Sequence, residues 1–446
     1  MNDRGRVPWW TLAAALVALA WGLTSPVHAN GILRNGIGPR AMALGGADVG
    51  WAQDPVGAMS VNPAGLGFLG STELQVSLPA VLAAGRFTNS ANSDARLDSR
   101  VGLVADGAYA RLLPGTPVTL ALGLIPEAPL SADWHYVDPP GGWGGASYGF
   151  QEHLSEILML RAALGVGVRL GPGFAIGASF GPVYNANHLK APYIFQSQPT
   201  LKGFKTLLDL ETDGWGWGGT LGILARPSAT LQWGLAYTSR VTVRSKGDAS
   251  GNADAQFDTL NMAVRPDFHY DAEVETKFPQ KLAAGLSWRF QPGWRLPVQV
   301  DWVEWSQAFD RLPVTLTHGD NADINGVVGS DSMQDVVPLR WDDRVVLHAG
   351  LEHEIADGWA ARAGYSYGPS PVPDGTLTPL TAAIMEHAIT LGAGYQAARY
   401  GLDFAYECDV PTSQRVGSSG LESGEYDDSR TQVSLHWLAV TASVRF

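Results

Sequence analysis

The chain has 446 residues, a net charge of −13, one cysteine and 53 glycines, the last about 12% of the chain against a usual ~7%. Charged residues make up only 16% and aromatics 10%, which excludes disorder and a charged coiled coil. The acidic balance excludes a nucleic-acid binder with its basic patch, and the lone Cys408 excludes a disulfide framework, a Cys-rich zinc site and a CxxC redox pair.

Residues 1–29 read as a signal peptide. Arg4 and Arg6 give a positive leader, Trp9 to Leu23 is apolar, and Val27-His28-Ala29 offers small residues for cleavage after Ala29. The apolar run is shorter than the ~20 residues that span a bilayer. Residues 30–70 follow as a glycine-rich segment with Pro39, Pro55 and Pro63 and little charge. Its small apolar residues, such as Ala41, Met42, Ala43 and Leu44, argue for burial.

From residue 71 onward the chain alternates with period 2, the signature of strands with one apolar face. Leu158, Leu160, Ala162, Leu164, Val166 and Val168 face one way; Arg161, Ala163, Gly165 and Gly167 face the other. Leu231, Trp233, Leu235, Tyr237, Val241 and Val243 alternate with Gln232, Gly234, Thr238, Arg240, Thr242 and Arg244. Such stretches run longer than the 5–6 residues usual in soluble proteins and suit tilted transmembrane strands. The predicted strands are 71–82, 100–112, 116–126, 154–170, 173–187, 213–226, 230–244, 271–290, 295–310, 344–354, 359–368, 385–396, 399–408 and 432–446. Pro279 predicts a bend in the eighth. Short turns at 113–117, 171–173, 226–229, 291–293, 356–358 and 396–398 alternate with long polar loops. The expectation is an all-β fold: a 14-stranded antiparallel transmembrane β-barrel (71–446), plugged by an N-terminal hatch (30–70), in the outer membrane of a diderm bacterium. A barrel this wide leaves an aqueous lumen unless something fills it. The terminal Phe446 on an amphipathic strand looks like the signal read by the outer-membrane assembly machinery.

Specific motifs carry a family resemblance. Gly38-Pro39-Arg40-Ala41-Met42-Ala43-Leu44-Gly45-Gly46-Ala47, Asp54 and Asn62-Pro63-Ala64-Gly65-Leu66 resemble the hatch of FadL/TodX-type outer-membrane transporters. Asp213-Gly214-Trp215-Gly216-Trp217-Gly218, Tyr237-Thr238-Ser239-Arg240-Val241, Phe278-Pro279, Trp341-Asp342-Asp343 and Ser370-Pro371-Val372-Pro373 extend it along the mature chain. The resemblance implies uptake of long-chain fatty acids or of aromatic or aliphatic hydrocarbons. Cargo would be captured in apolar extracellular loops and passed to a lumenal pocket. Hatch movement would then release it laterally or axially. Neither an enzyme activity, a cofactor nor a metal is implied. The expected partners are the hydrophobic cargo, outer-membrane lipids and lipopolysaccharide, with the protein a monomer. A porin-like or structural, adhesin-like barrel is the alternative.

Candidate residues follow for each step. Leu201, Phe204, Leu207 and Leu208 have the spacing of one apolar helical face within Thr200–Leu210 and form a candidate capture groove. Trp134, Tyr136, Trp143 and Tyr148 in loop 127–153 could join it. Pro126 and Pro129 remove two ladder donors and mark a candidate lateral opening. Gly45, Gly46, Asn62, Pro63 and Ala64 are the candidate hatch residues. Arg161, Arg169, Arg240, Arg244, Arg344, Arg362 and Arg399 are placed on the lumen face with Glu352, Glu354, Glu386, Asp403 and Glu407. These charges read either as an ion-pair ladder bracing barrel and hatch or as an anion site. Asn321, Asp323, Asn325 and Gly326 imitate the start of a calcium loop, but position 12 would be Ser332 rather than Glu.

Overall fold

The computed structural model describes residues 31–446; the expected signal peptide, residues 1–29, lies outside the described residues. Fourteen antiparallel strands close into one barrel. They are β1 (Glu73–Thr88), β2 (Val101–Leu103 with Asp106–Leu112), β3 (Val118–Val137), β4 (Phe150–Gly171), β5 (Phe174–Ile194), β6 (Lys205–Ala225) and β7 (Leu231–Thr238 with Val241–Asn252). Then come β8 (Asp267–Phe278 with Lys281–Gln291), β9 (Trp294–Val303 with Arg311–Thr317), β10 (Met333–Pro338 with Arg344–Ala356), β11 (Trp359–Tyr367), β12 (His387–Gln396), β13 (Tyr400–Arg415) and β14 (Arg430–Arg445). β14 pairs with β1 from Glu73↔Arg445 to Thr88↔Arg430, so no edge is left open there. Closure matters because an unpaired backbone group in hydrocarbon costs several kcal/mol.

Alternation sets the two faces. Leu122, Leu164, Phe180, Trp217, Leu391 and Leu402 stand exposed on the outer wall. Between them Ala163, Ser179, Thr220, Gln299, Thr390 and Asp403 are buried inside. The break at Pro279 divides β8 as its missing N–H demands. Several strands run on into stretches that read as loops: Gly247 pairs with Thr212, and Val314 pairs with Asp335. One face assignment is corrected. β7 is interrupted at Ser239-Arg240, and the interruption inverts its alternation. Trp233 and Tyr237 point out, but Val241 and Val243 are buried inside. Arg244 therefore lies outside the lumen, 70% exposed and paired with Glu275 at 3.1 Å. Arg399 sits in the turn before β13 rather than on a strand face.

Residues 31–70 form no barrel strand. They contain α1 (Pro39–Ala43), α2 (Pro55–Ser60) and a 3-10 turn, Pro63–Phe68. Pro at the first position and Asp54 as cap start α2; Asp54 accepts from Gly57 N at 2.8 Å. Nearly every residue is buried against inward-facing side chains. The wall supplies what this irregular backbone lacks. Gln299 of β9 accepts from Asp48 N and Val49 N at 2.9 and 2.8 Å. Gln75 of β1 accepts from Val56 N at 2.9 Å, and Thr390 of β12 accepts from Gly45 N at 3.1 Å. Asn62 donates to Val49 O at 2.8 Å and to Ile223 O of β6 at 3.0 Å.

Contact is closest at Asn62-Pro63. A Cβ on Gly177 of β5 would lie 2.2 Å from the Pro63 carbonyl, and one on Gly222 of β6 would lie 2.0 Å from Asn62 Oδ1. Glycine is required at both by approach, not by turn geometry. Gly177→Val suits a strand but not this contact. The variant is expected to keep heat-modifiable barrel migration on gels while residues 31–70 become protease-sensitive. Unchanged protease resistance would show that the wall does not hold the segment there.

Candidate functional site

Two apolar cavities lie toward the long-loop end. The larger, of about 290 Å³, is bounded by Ile32 of the N-terminal segment, Leu130 and Trp134 of β3, and Leu339, Trp341 and Leu380 from loops. The smaller, of about 50 Å³, is lined by Leu201, Phe204, Leu208, Phe268, Tyr270 and Met333. The predicted helix over 200–210 is not formed: residues 205–210 open β6 and pair with Leu189–Ile194 of β5. Period 2 then puts Leu207 on the face opposite Leu208, outside the cavity lining. Leu201 and Phe204 are buried, 3% and 4% exposed, so they form cavity wall rather than an open groove. Trp134 and Tyr136 are buried too. Trp143 instead clamps the loops, donating to Lys202 O at 2.8 Å and meeting the Phe204 ring at 5.5 Å. Tyr148 donates to Asn252 O at 3.0 Å.

A buried triad ties the loops above the larger cavity. Lys205 Nζ lies 2.6 Å from both Asp138 and Glu425, and its side chain is fully buried. Two carboxylates share one ammonium, so a negative charge is left over. Burial pushes the Glu425 carboxyl up to about 7, against the pull of Lys205.

The wall is interrupted beside the same cavity. β2 pairs with β3 only from Leu112↔Thr119 to Gly107↔Leu124. β3 continues to Val137 with β4 as its ladder partner, through a bulge between Pro126 and Ala128. Pairing on the other side resumes only with the single bridge Leu97↔Trp134. The prolines predicted to mark an opening thus lie on the β2-facing lip of a gap, and the β3–β4 ladder stays continuous through them. Arg34 of the N-terminal segment spans this gap. Its Nη1 donates to Asp106 Oδ2 of β2 and to Pro126 O of β3, both at 3.3 Å. Its backbone N donates to Glu127 O at 3.3 Å. The Glu127 carboxylate turns away to Arg161, 2.7 Å from Nε.

Several lumen charges are paired in place. Arg362 binds Glu352 at 2.7 Å and Asp403 at 2.6 Å, and Arg40 of α1 reaches Glu352 at 3.7 Å. Arg240 pairs with Glu304, and Arg344 holds Asp342 at 2.9 Å. Glu386 lines a narrow cleft of about 30 Å³ together with Arg34. Gly45 presents its carbonyl 2.7 Å from His348 Nδ1, and a Cβ at Gly46 would strike Asn35 O. Pro63 and Ala64 open the 3-10 turn, where Ala64 N donates to Asn62 Oδ1 at 3.1 Å. Asn321 caps a short helix, Ala322–Val328, accepting from Asp323 N and Ile324 N, so the calcium-like spelling is a helix start.

Arg34 and Lys205 were not singled out from sequence. Arg34 carried a usable signal: it is one of four charges, with Arg40, Asp48 and Asp54, in an otherwise neutral segment. Lys205 carried none, because its partners come from loops distant in the chain.

A closed fourteen-stranded barrel with an apolar outer belt and a polar interior defines an outer-membrane β-barrel. The model of the outer membrane protein transport protein family (OMPP1/FadL/TodX) matches residues 23–446, and the chain belongs to that family. It resembles a solved FadL homologue of Pseudomonas aeruginosa at TM-score 0.75 and 15% identity, over 93% of this chain and 100% of that one. The Pseudomonas putida toluene transporter TodX matches at TM-score 0.72 and 19% identity, over 94% and 100%. The Ralstonia pickettii toluene transporter TbuX matches at 0.71 and 19%, over 92% and 99%. In sequence, the chain is 24% identical over 167 residues to the long-chain fatty acid transport protein of Escherichia coli (strain K12). That match spans 37% of this chain and about a third, 34%, of the relative.

Lys205→Met tests the loop triad. It leaves Asp138 and Glu425 buried without a counter-charge, a loss of roughly 3–5 kcal/mol locally. A raised carboxyl pKa means that the folded loops hold a proton the unfolded ones release. Their stability is therefore full below the unfolded Glu pKa of about 4.5 and falls as pH rises through about 7. Protease cleavage of loop 416–429 is expected to accelerate strongly at pH 8 and much less at pH 5. Equal acceleration at both would remove the charge argument.

Proposed function

We propose that the protein takes up hydrophobic small molecules across the outer membrane, drawn from long-chain fatty acids and aromatic or aliphatic hydrocarbons. Cargo enters through the apolar loops and rests in the larger cavity. The N-terminal segment acts as the hatch, and its withdrawal frees a route to the wall gap. One observation carries this reading. Leu130 and Ile32 bound the cavity, and they sit beside the stretch where β2–β3 pairing stops and Arg34 bridges the lips. The resting state is then closed by a few long hydrogen bonds, worth roughly 1.5–3 kcal/mol where the Arg34 guanidinium donates and roughly 0.5–1.5 where its backbone does. That is enough to latch the segment without freezing it. The route requires no covalent chemistry; the concentration gradient drives it. The lips meet outer-membrane lipid and, toward the loops, lipopolysaccharide, while Phe446 offers the assembly signal.

Pro126→Val with Pro129→Val tests the route. It restores two ladder donors and lets β2–β3 pairing extend past Gly107. Uptake of a radiolabelled hydrophobic cargo by cells carrying the variant is expected to fall several-fold, with barrel yield and heat-modifiability unchanged. Normal uptake with extended pairing would eliminate the wall route and leave axial descent.

A further inference from the structure

Apart from His188 and two tyrosines, the ionisable groups that line the larger cavity are carboxylates. Among the described residues that line it there is no lysine and no arginine. Its ionisable members, apart from tyrosines, are Glu156, Glu422, Glu425 and His188. The basic side chains nearby already have acidic partners. Lys205 is held between Asp138 and Glu425, and Lys202 lies 3.2 Å from Glu422. His188 Nε2 lies 2.9 Å from Asp209 and 3.5 Å from Glu211, and its Nδ1 lies 4.0 Å from Glu156. The way down is the same. The cleft beneath the cavity is lined by Glu386, Glu407 and Asp409, and its single arginine, Arg34, is paired with Asp106.

A carboxylate entering this space would lose its water and gain no counter-charge. It would also face carboxylates at short range. Both effects disfavour it strongly, since burying an unpaired charge is among the costliest changes in a protein. An uncharged chain or ring pays neither cost and meets a predominantly apolar wall. We infer that the cavity selects uncharged hydrophobic molecules, such as hydrocarbons and esters, over carboxylates of the same chain length, with Glu156 and Glu425 as the residues that enforce the choice. The inference rests on the reading of this cavity as the cargo site.

The test compares methyl dodecanoate with dodecanoate, both radiolabelled and below their aggregation limits, by equilibrium dialysis against the full-length protein in mild detergent at pH 8. The ester is expected to bind saturably and the carboxylate at least about tenfold more weakly, which corresponds to 1.4 kcal/mol. Leu380→Arg places a cation in the lining and is expected to raise carboxylate binding while lowering ester binding. Glu156→Gln with Glu425→Gln is expected to narrow the difference. Equal or tighter binding of the carboxylate to the unaltered protein would overturn the inference and leave the uptake reading intact. Absence of saturable binding by both probes would overturn the inference together with the cavity's role as cargo site.

Discussion

Irregular backbone at membrane depth must find its hydrogen-bond partners in the surrounding protein or in water of the lumen, never in lipid. The rest of the structure follows from how the wall meets that demand. Gln75, Gln299 and Thr390 project inward and accept from backbone N–H groups of residues 31–70. Gly177 and Gly222 give up their side chains so that Asn62-Pro63 can touch the wall. The strands are therefore polar or small inside for a reason beyond solvation: their inner face is a binding surface for one particular segment. The ion pairs among Arg40, Glu352, Arg362 and Asp403 serve the same end.

Where the segment reaches β2 and β3, the demand is met differently. The wall there lacks a ladder, and the segment supplies a charged side chain instead. Arg34 touches both lips, and its guanidinium lies 5.4 Å from the Trp437 ring centroid; among the described residues its Nε and Nη2 have no hydrogen-bond partner. The lips are joined there by the contacts of one residue rather than by a ladder. This is also where the apolar cavity comes nearest the wall gap. A closure made by one residue beside a cavity suits the proposed route for apolar cargo, whereas a ladder on all sides would trap it.

The barrel was legible because period 2 survives in every membrane-crossing stretch, and turn chemistry separates the strands into fourteen. Strand length was not. Lys246 to Ser250 alternates polar residues with only Gly247 and Ala249, and Thr206 to Asp209 mixes polar and apolar residues on each face, so neither shows the large apolar outer face that marks the other strands. The spacing of Leu201, Phe204, Leu207 and Leu208 fits a helical face and a turn followed by a strand equally well; pairing with Leu189–Ile194 decides it. The inverted alternation after Ser239-Arg240 is equally silent in sequence, and it moved Arg244 out of the lumen. Pro126 and Pro129 announced a defect in a ladder, but which neighbour lost its pairing is a property of the closed barrel. The Lys205 triad joins the first residue of β6 to two loops distant in the chain and belongs to no local pattern.

The proposed route requires that residues 31–70 close the lumen at rest. Single-channel recording of a variant lacking residues 31–65, reconstituted in planar bilayers, addresses that claim most directly. The account predicts an almost silent intact protein and a variant with large, steady ionic conductance and normal heat-modifiable migration. A correctly folded variant that conducts no more than the intact protein would contradict it.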